Sequence, residues 1–306
     1  MGNPLAVNAR TNEMDSPKDE IVPGWHNCWG GKFGNLEPSE WLAERWLHSP
    51  AVAADLPRRL PQDIDGQVLR CSPNSDGVRQ MANNKPAFLF DLDGTLVDSV
   101  YQHVLAWRAA LEAVGIELAV WRIHRRIGMS GGLFINALLR ETESDVTVDQ
   151  VERIQTLHAE AYRDLAGQVR PLPGAQRLLQ TLTAAAVPWA IATSGRWAVA
   201  QPVLDMLGVP ERVPIVTRDQ VLYAKPDPDL FLAAAERLGV PIETSVVVGD
   251  SIWDLLAARR ARALSVGLLS GGYGRAELET AGAYRVYDDP ADLLIHLDEV
   301  GVRGAS

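Results

Sequence analysis

Ala87-Phe88-Leu89-Phe90-Asp91-Leu92-Asp93-Gly94-Thr95 is the stretch that decides how this chain is read. Four apolar residues in succession, closed by an acid and a glycine, read as a short strand buried on both faces. Asp91 and Asp93 are two apart, so in extended backbone they project to the same side. Gly94 lets the chain turn sharply directly afterwards.

Working outward, similar apolar runs recur at 188–192, 213–216, 245–248 and 264–268, each bounded by Gly, Pro, Asp or Ser. Amphipathic stretches at 174–186, 228–238 and 251–263 separate them. Strand alternating with helix predicts an α/β fold: a Rossmann-like parallel sheet with helices on both faces. The interval between Asp98 and Arg170 breaks the alternation. It carries only helical patterns, with Val100, Val104, Trp107, Leu111 and Val114 on one stripe and Val151, Ile154, Ala161 and Leu165 on another. A small all-helical cap domain over 99–170, inserted after the first strand, is expected to cover a site on a core of 83–98 and 171–306.

Residues 1–82 differ from the rest. They hold four of the nine tryptophans (Trp25, Trp29, Trp41, Trp46), both cysteines (Cys28, Cys71), and one helical pattern at 38–47 led by Ser39. Their composition reads as a weakly ordered N-terminal extension.

The totals exclude several classes of function. A formal charge of -10 argues against a nucleic-acid binder, which needs clustered Lys and Arg. No apolar run approaches the length of a membrane span, and no secretory signal is recognisable. Beyond Cys71 there is no thiol for a nucleophile, disulfide or metal cage, and a cytoplasmic setting fits best. Oligomeric state leaves no trace in the sequence.

In an open parallel sheet, ligands sit beyond the carboxyl ends of the strands. Three of the apolar runs are succeeded by polar residues that could form such a site: Asp91 and Asp93 after the first, Thr193-Ser194-Gly195 after the second, and Gly249-Asp250-Ser251 with Asp254 after the fourth. Lys225-Pro226-Asp227-Pro228 lies between the last two. Asp91, Asp93 and Asp250 would repel one another unless a cation intervened, and an all-oxygen set with few protein ligands suits Mg2+. A carboxylate can attack phosphorus to give an aspartyl-phosphate, and a second acid can serve the leaving oxygen and then the water. Thr193, the N–H groups of Ser194 and Gly195, and Lys225 can hold phosphate oxygens. Taken singly, each motif has a plainer reading as a turn, a strand end or a helix cap. Their order along one sheet edge gives them meaning together.

These residues resemble the haloacid dehalogenase superfamily of hydrolases. Asp91 to Ser99 matches its first motif; Thr193-Ser194-Gly195, Lys225-Pro226 and Gly249-Asp250-Ser251-x-x-Asp254 match the other three. The resemblance runs from Pro86 toward the C-terminus. It implies Asp91 as nucleophile and metal ligand, and Asp93 as acid/base with its backbone carbonyl on the ion. It further implies Asp250 as a Mg2+ ligand, Asp254 in support, and Thr193, Ser194 and Lys225 on the phosphate. The helical insertion is similar to the cap of phosphoglycolate phosphatases and beta-phosphoglucomutases. Asp93 argues against dehalogenation, since dehalogenases lack it. His103, in Tyr101-x-His103-x-x-Ala106-Trp107, resembles the mutase histidine that positions the acid/base; an ordinary helix residue is the alternative. The mutase branch carries a substrate-binding arginine just after the cap turn, where this chain has Gly131; Arg125, Arg126 or Arg140 could take its place. A phosphatase acting on a small phosphorylated metabolite is therefore expected, ahead of a sugar-phosphate mutase or a non-catalytic phosphometabolite-binding protein.

Overall fold

The computed structural model describes residues 85–142 and 147–303. The extension, its tryptophans and cysteines, and the helix expected at 38–47 lie outside these residues. In chain order, β1 (Ala87–Phe90) leads into β2 (Val97–Asp98), α1 (Val100–Glu112), α2 (Val120–His124), α3 (Gly131–Thr142) and α4 (Val148–Leu165). The chain returns through β3 (Arg170–Pro171), antiparallel to β2. Alternation then sets in: α5 (Ala175–Ala184), β4 (Trp189–Ala192), α6 (Trp197–Leu207), β5 (Ile215–Val216) and α7 (Asp229–Leu238). It continues with β6 (Ser245–Gly249), α8 (Ile252–Ala261), β7 (Leu264–Leu268), α9 (Arg275–Ala281), β8 (Arg285–Tyr287) and α10 (Pro290–Ile295).

Six strands form one parallel sheet in the order β5-β4-β1-β6-β7-β8. The unbroken apolar runs are explained by burial on both sides. Phe88 and Phe90 of β1 join Val246, Val248 and Ile191 on one face, under α5, α6 and α10. Leu89 joins Ala190 and Val247 on the other, under α7 and α8. Each large side chain so buried contributes roughly 1.5–3 kcal/mol. Register sets where the strands stop. Phe90 stands opposite Ile191 on one side and Val248 on the other, so β4, β1 and β6 end nearly level.

The inserted helices have a core of their own, in which Val104, Trp107 and Leu111 of α1 meet Ile123, Phe134 and Ile154. This is the helical cap expected from the sequence. Two details differ from that expectation. The insertion is entered and left through the two-residue pair β2 and β3, and β5 begins at Ile215 because the Val213 N–H is taken by Pro210 in a turn. No helix among the described residues is long and apolar enough to cross a membrane.

Candidate active site

The level strand ends bring three polar groups together: Asp91 comes directly after β1, Thr193 after β4 and Asp250 after β6. Lys225 arrives from the loop between β5 and α7 and is fully buried. Its ammonium pairs with Asp91 Oδ1 and, at 2.8 Å, with Asp254 Oδ1. Asp254 Oδ2 accepts from the Ser251 N–H at 3.1 Å and the Ser251 hydroxyl at 2.5 Å, closing a capping box at the start of α8. Asp91, Asp250 and Asp254 each place a carboxylate oxygen within 4.8 Å of the others.

Asp250 is held on one oxygen and fitted on the other. Oδ1 accepts from the Thr95 hydroxyl at 2.9 Å. Oδ2 occupies a hollow left by two glycines, where a Cβ on either Gly94 or Gly271 would overlap it. Gly271 lies just beyond β7, and nothing in its local sequence announces this duty. Gly94, with φ of +83°, also needs the left-handed conformation to turn the chain.

Asp93 does not join the acidic cluster through its side chain. Its Oδ1 accepts from the Ser99 hydroxyl at 2.6 Å and lies 3.2 Å from His103 Nε2. Both Asp91 and Asp93 nevertheless border the same cleft, of about 360 Å³, with Thr193 beside them and Trp107, Phe134 and His158 of the cap opposite. The Thr193 Oγ1 accepts from the Gly195 N–H at 2.9 Å, which leaves its hydroxyl hydrogen for a guest. Ser194 also lines the cleft, but its hydroxyl donates to the Gly128 carbonyl at 2.9 Å. Its backbone N–H is what it can offer an oxyanion.

That last bond is one of several by which the cap turn seats on the core. His124 Nε2 meets the Gly271 carbonyl at 2.8 Å, and the Arg125 carbonyl accepts from Tyr273 at 2.8 Å and Trp253 at 3.2 Å. Gly128, with φ of +96°, comes so close that a Cβ would stand 2.7 Å from Ser251 Oγ. Arg125 pairs with Glu277 and lies over the Tyr273 ring, so it bridges cap and core instead of facing the cleft. Arg126 does line the cleft; the Arg140 side chain lies outside the described residues.

Electrostatics separate the two acids of the first motif. Burial pushes the Asp91 carboxyl up to about 7, against the pull of Lys225. Burial, with Asp254 and Asp91 as neighbours, holds Asp250 well above the ordinary carboxylate range. Asp93 goes the other way: burial resists ionisation, but His103 and the hydrogen bonds from His103 and Ser99 outweigh it and keep the carboxyl low. Burial would depress Lys225, yet Asp254 and Asp91 reverse this and raise it. Three buried carboxylates against one buried ammonium leave an excess of negative charge when all are ionised. An all-oxygen cluster of that kind fits a hard divalent cation.

Sequence reasoning missed His158 and Gly271. His158 comes four residues after Ile154 and four before Tyr162, all three buried on one face of α4. A histidine in register on an apolar stripe is the signal that was available.

Comparison with known proteins identifies the family. Residues 85–262, more than half of the chain, match the family described as haloacid dehalogenase-like hydrolase. A phosphoglycolate phosphatase of Agrobacterium fabrum is 32% identical over 191 residues, covering 61% of this chain and 81% of that protein. Hexitol phosphatase A of Escherichia coli is 34% identical over 168 residues, 54% of this chain and 74% of that one. Among solved structures, a hydrolase from Pseudomonas syringae is 57% identical with a TM-score of 0.70, covering 71% of this chain and 100% of its own. With four motifs at one sheet edge, a helical cap above them and a match of this extent, the chain belongs to the haloacid dehalogenase-like hydrolase family.

Proposed function

We propose that the chain is a Mg2+-dependent phosphatase that hydrolyses a small phosphate monoester, phosphoglycolate-like or sugar-phosphate-like, through an aspartyl-phosphate on Asp91. The observation that carries this reading is the division of labour among the acids. Asp91, Asp250 and Asp254 gather beside buried Lys225, while Asp93 stands apart in the grip of Ser99 and His103. The phosphatase relatives support the same class of substrate. Residues 83–98 and 171–306 serve as the catalytic core and 99–170 as the cap. Its few cysteines favour work in the cytoplasm.

The substrate phosphate lies against the Thr193 hydroxyl, the Ser194 N–H and the Lys225 ammonium. Asp91 attacks phosphorus as the bond to the leaving oxygen breaks, and Asp93 gives that oxygen its proton. His103 and Ser99 hold the Asp93 carboxyl low, and the negative charge of an arriving phosphate raises it, so the acid is loaded as substrate binds. Asp93 then takes a proton from water, which attacks phosphorus and frees Asp91 and inorganic phosphate. Asp91, Asp250 and the Asp93 backbone carbonyl would hold Mg2+, which when bound neutralises the cluster and screens the incoming anion.

Phosphate release from a panel of monoesters is expected to need added Mg2+ and to stop in EDTA. Gly271→Ala, whose Cβ displaces the Asp250 carboxylate, is expected to raise the Mg2+ concentration for half-maximal rate about 10- to 100-fold. Full activity in EDTA, or an unmoved Mg2+ requirement in Gly271→Ala, contradicts this reading.

A further inference from the structure

The Asp93 carboxylate is anchored on one side only. Ser99 and His103 both engage Oδ1, while Oδ2 faces Gly195, where a Cβ would stand 3.9 Å away. The direction in which Oδ2 points therefore depends on how firmly His103 is held. Ser99 lies six residues on, at the N-cap of α1, but His103 reaches across from within α1, and its ring can rotate unless something stops it.

A stack of rings supplied by α4 stops it. The His103 ring lies flat against Tyr162, with centroids 4.0 Å apart and planes 6° from parallel. Its second nitrogen, Nδ1, lies 3.2 Å from His158 Nε2. His158 is itself pressed on Trp107 at 3.9 Å and 17°. Burial and the neighbouring His103 hold the His158 imidazole well below its ordinary range, so it stays neutral and keeps one ring nitrogen as an acceptor. A buried imidazole nitrogen without a partner forfeits its hydration and gains no hydrogen bond in return. Loss of His158 would leave His103 Nδ1 in that condition, and ring rotation to relieve it would release Asp93 Oδ1.

We infer that His158 is a positioning residue for the acid/base step: through His103 it fixes the aim of the Asp93 carboxyl at the leaving oxygen. The inference rests on Asp93 being the acid/base of the proposed reaction. It concerns a cap residue that touches neither Asp93 nor the acidic cluster. His158 also borders the cleft, so the rival account is that it merely shapes the substrate's surroundings.

The leaving group distinguishes the two. An alkyl phosphate needs its departing oxygen protonated; p-nitrophenyl phosphate, with a stable leaving anion, hardly does. His158→Phe keeps a ring on Trp107 and removes both nitrogens, whereas His158→Gln can return a polar atom near Nε2. For His158→Phe, kcat/KM on an alkyl phosphate is expected to fall about 10- to 100-fold, and on p-nitrophenyl phosphate less than about threefold. His158→Gln is expected to recover part of the alkyl-phosphate rate, and it carries the test should the phenylalanine variant not fold. No loss, or an equal loss on both substrates, overturns the inference. Asp93→Asn, run alongside and compared on kcat/KM, which ends at departure of the leaving group and so excludes the later water step that also needs Asp93, separates the levels. If it shows the selective loss and the His158 variants do not, only the inference fails; if Asp93→Asn shows none, the acid/base reading fails and the inference with it.

Discussion

Replacing Asp91 with asparagine is expected to lower kcat by about 10⁴-fold or more while the protein stays folded. The amide has the shape of the carboxylate but cannot attack phosphorus. The fold survives because Lys225 keeps Asp254 as a partner at 2.8 Å. Stability adds a second, independent readout. Asp91 has its carboxyl raised by burial from an ordinary 3.8 to about 7, so the folded protein resists its ionisation more than the unfolded chain does. In metal-free protein that cost is absent below about pH 4 and fully imposed above about pH 7. Asparagine removes it. In EDTA, the Tm of Asp91→Asn relative to the parent is therefore expected to rise as pH goes from 4 to 8. Wild-type turnover of p-nitrophenyl phosphate by a folded Asp91→Asn protein contradicts the assignment.

Lys225→Met is expected to cost about 3–5 kcal/mol of unfolding free energy at pH 8 in EDTA, and to slow turnover about 10²- to 10³-fold. Lys225 is the cation paired with both Asp91 and Asp254, all of them out of solvent. Methionine fills much of the volume but leaves two carboxylates facing each other uncompensated. The direction with pH comes from the raised value of the ammonium. Its contribution is fully present below the ordinary lysine value and is lost only as pH climbs through the higher folded one, so pH 8 lies inside the protected window. Urea denaturation measures it. A loss below about 1 kcal/mol would place this pair with ordinary surface salt bridges, and the buried-cluster account would be wrong.

Much of this architecture is legible in the sequence because burial on both faces leaves an unmistakable mark. The run Ala87–Phe90 and the strand Leu264–Leu268 stand where their apolar residues put them. Short or interrupted elements are harder to read. β2 and β3 have two residues each, too few for any period, and α6 carries Pro202 in its interior. Three-residue β8 has one exposed and two buried positions, which no alternation test resolves.

The site divides along a similar line. Which residues gather at the strand ends is set by register, and Asp91, Thr193 and Asp250 meet accordingly, with Lys225 joining them from the loop before α7. How each carboxylate turns is a tertiary matter. The spacing of Asp91 and Asp93 suggests a shared direction, yet Ser99 and His103 draw the Asp93 side chain away from the acidic cluster. Asp254 has the sequence character of a first-turn acid and closes the capping box on Ser251, but its other oxygen reaches Lys225, 29 residues upstream. The hollow at Gly271 exists only once β7 lies beside β6. His158 becomes meaningful only when α4 packs on α1.

The most direct test of the nucleophile is to trap the covalent intermediate. Enzyme in excess over a phosphate monoester is quenched in acid during a single turnover, reduced with borohydride, and digested for mass spectrometry. The expected result is homoserine in place of aspartate at position 91, with Asp93 and Asp250 unmodified. An active enzyme that yields no reduced residue, or yields it at another carboxylate, would show that Asp91 is not the group that takes the phosphoryl.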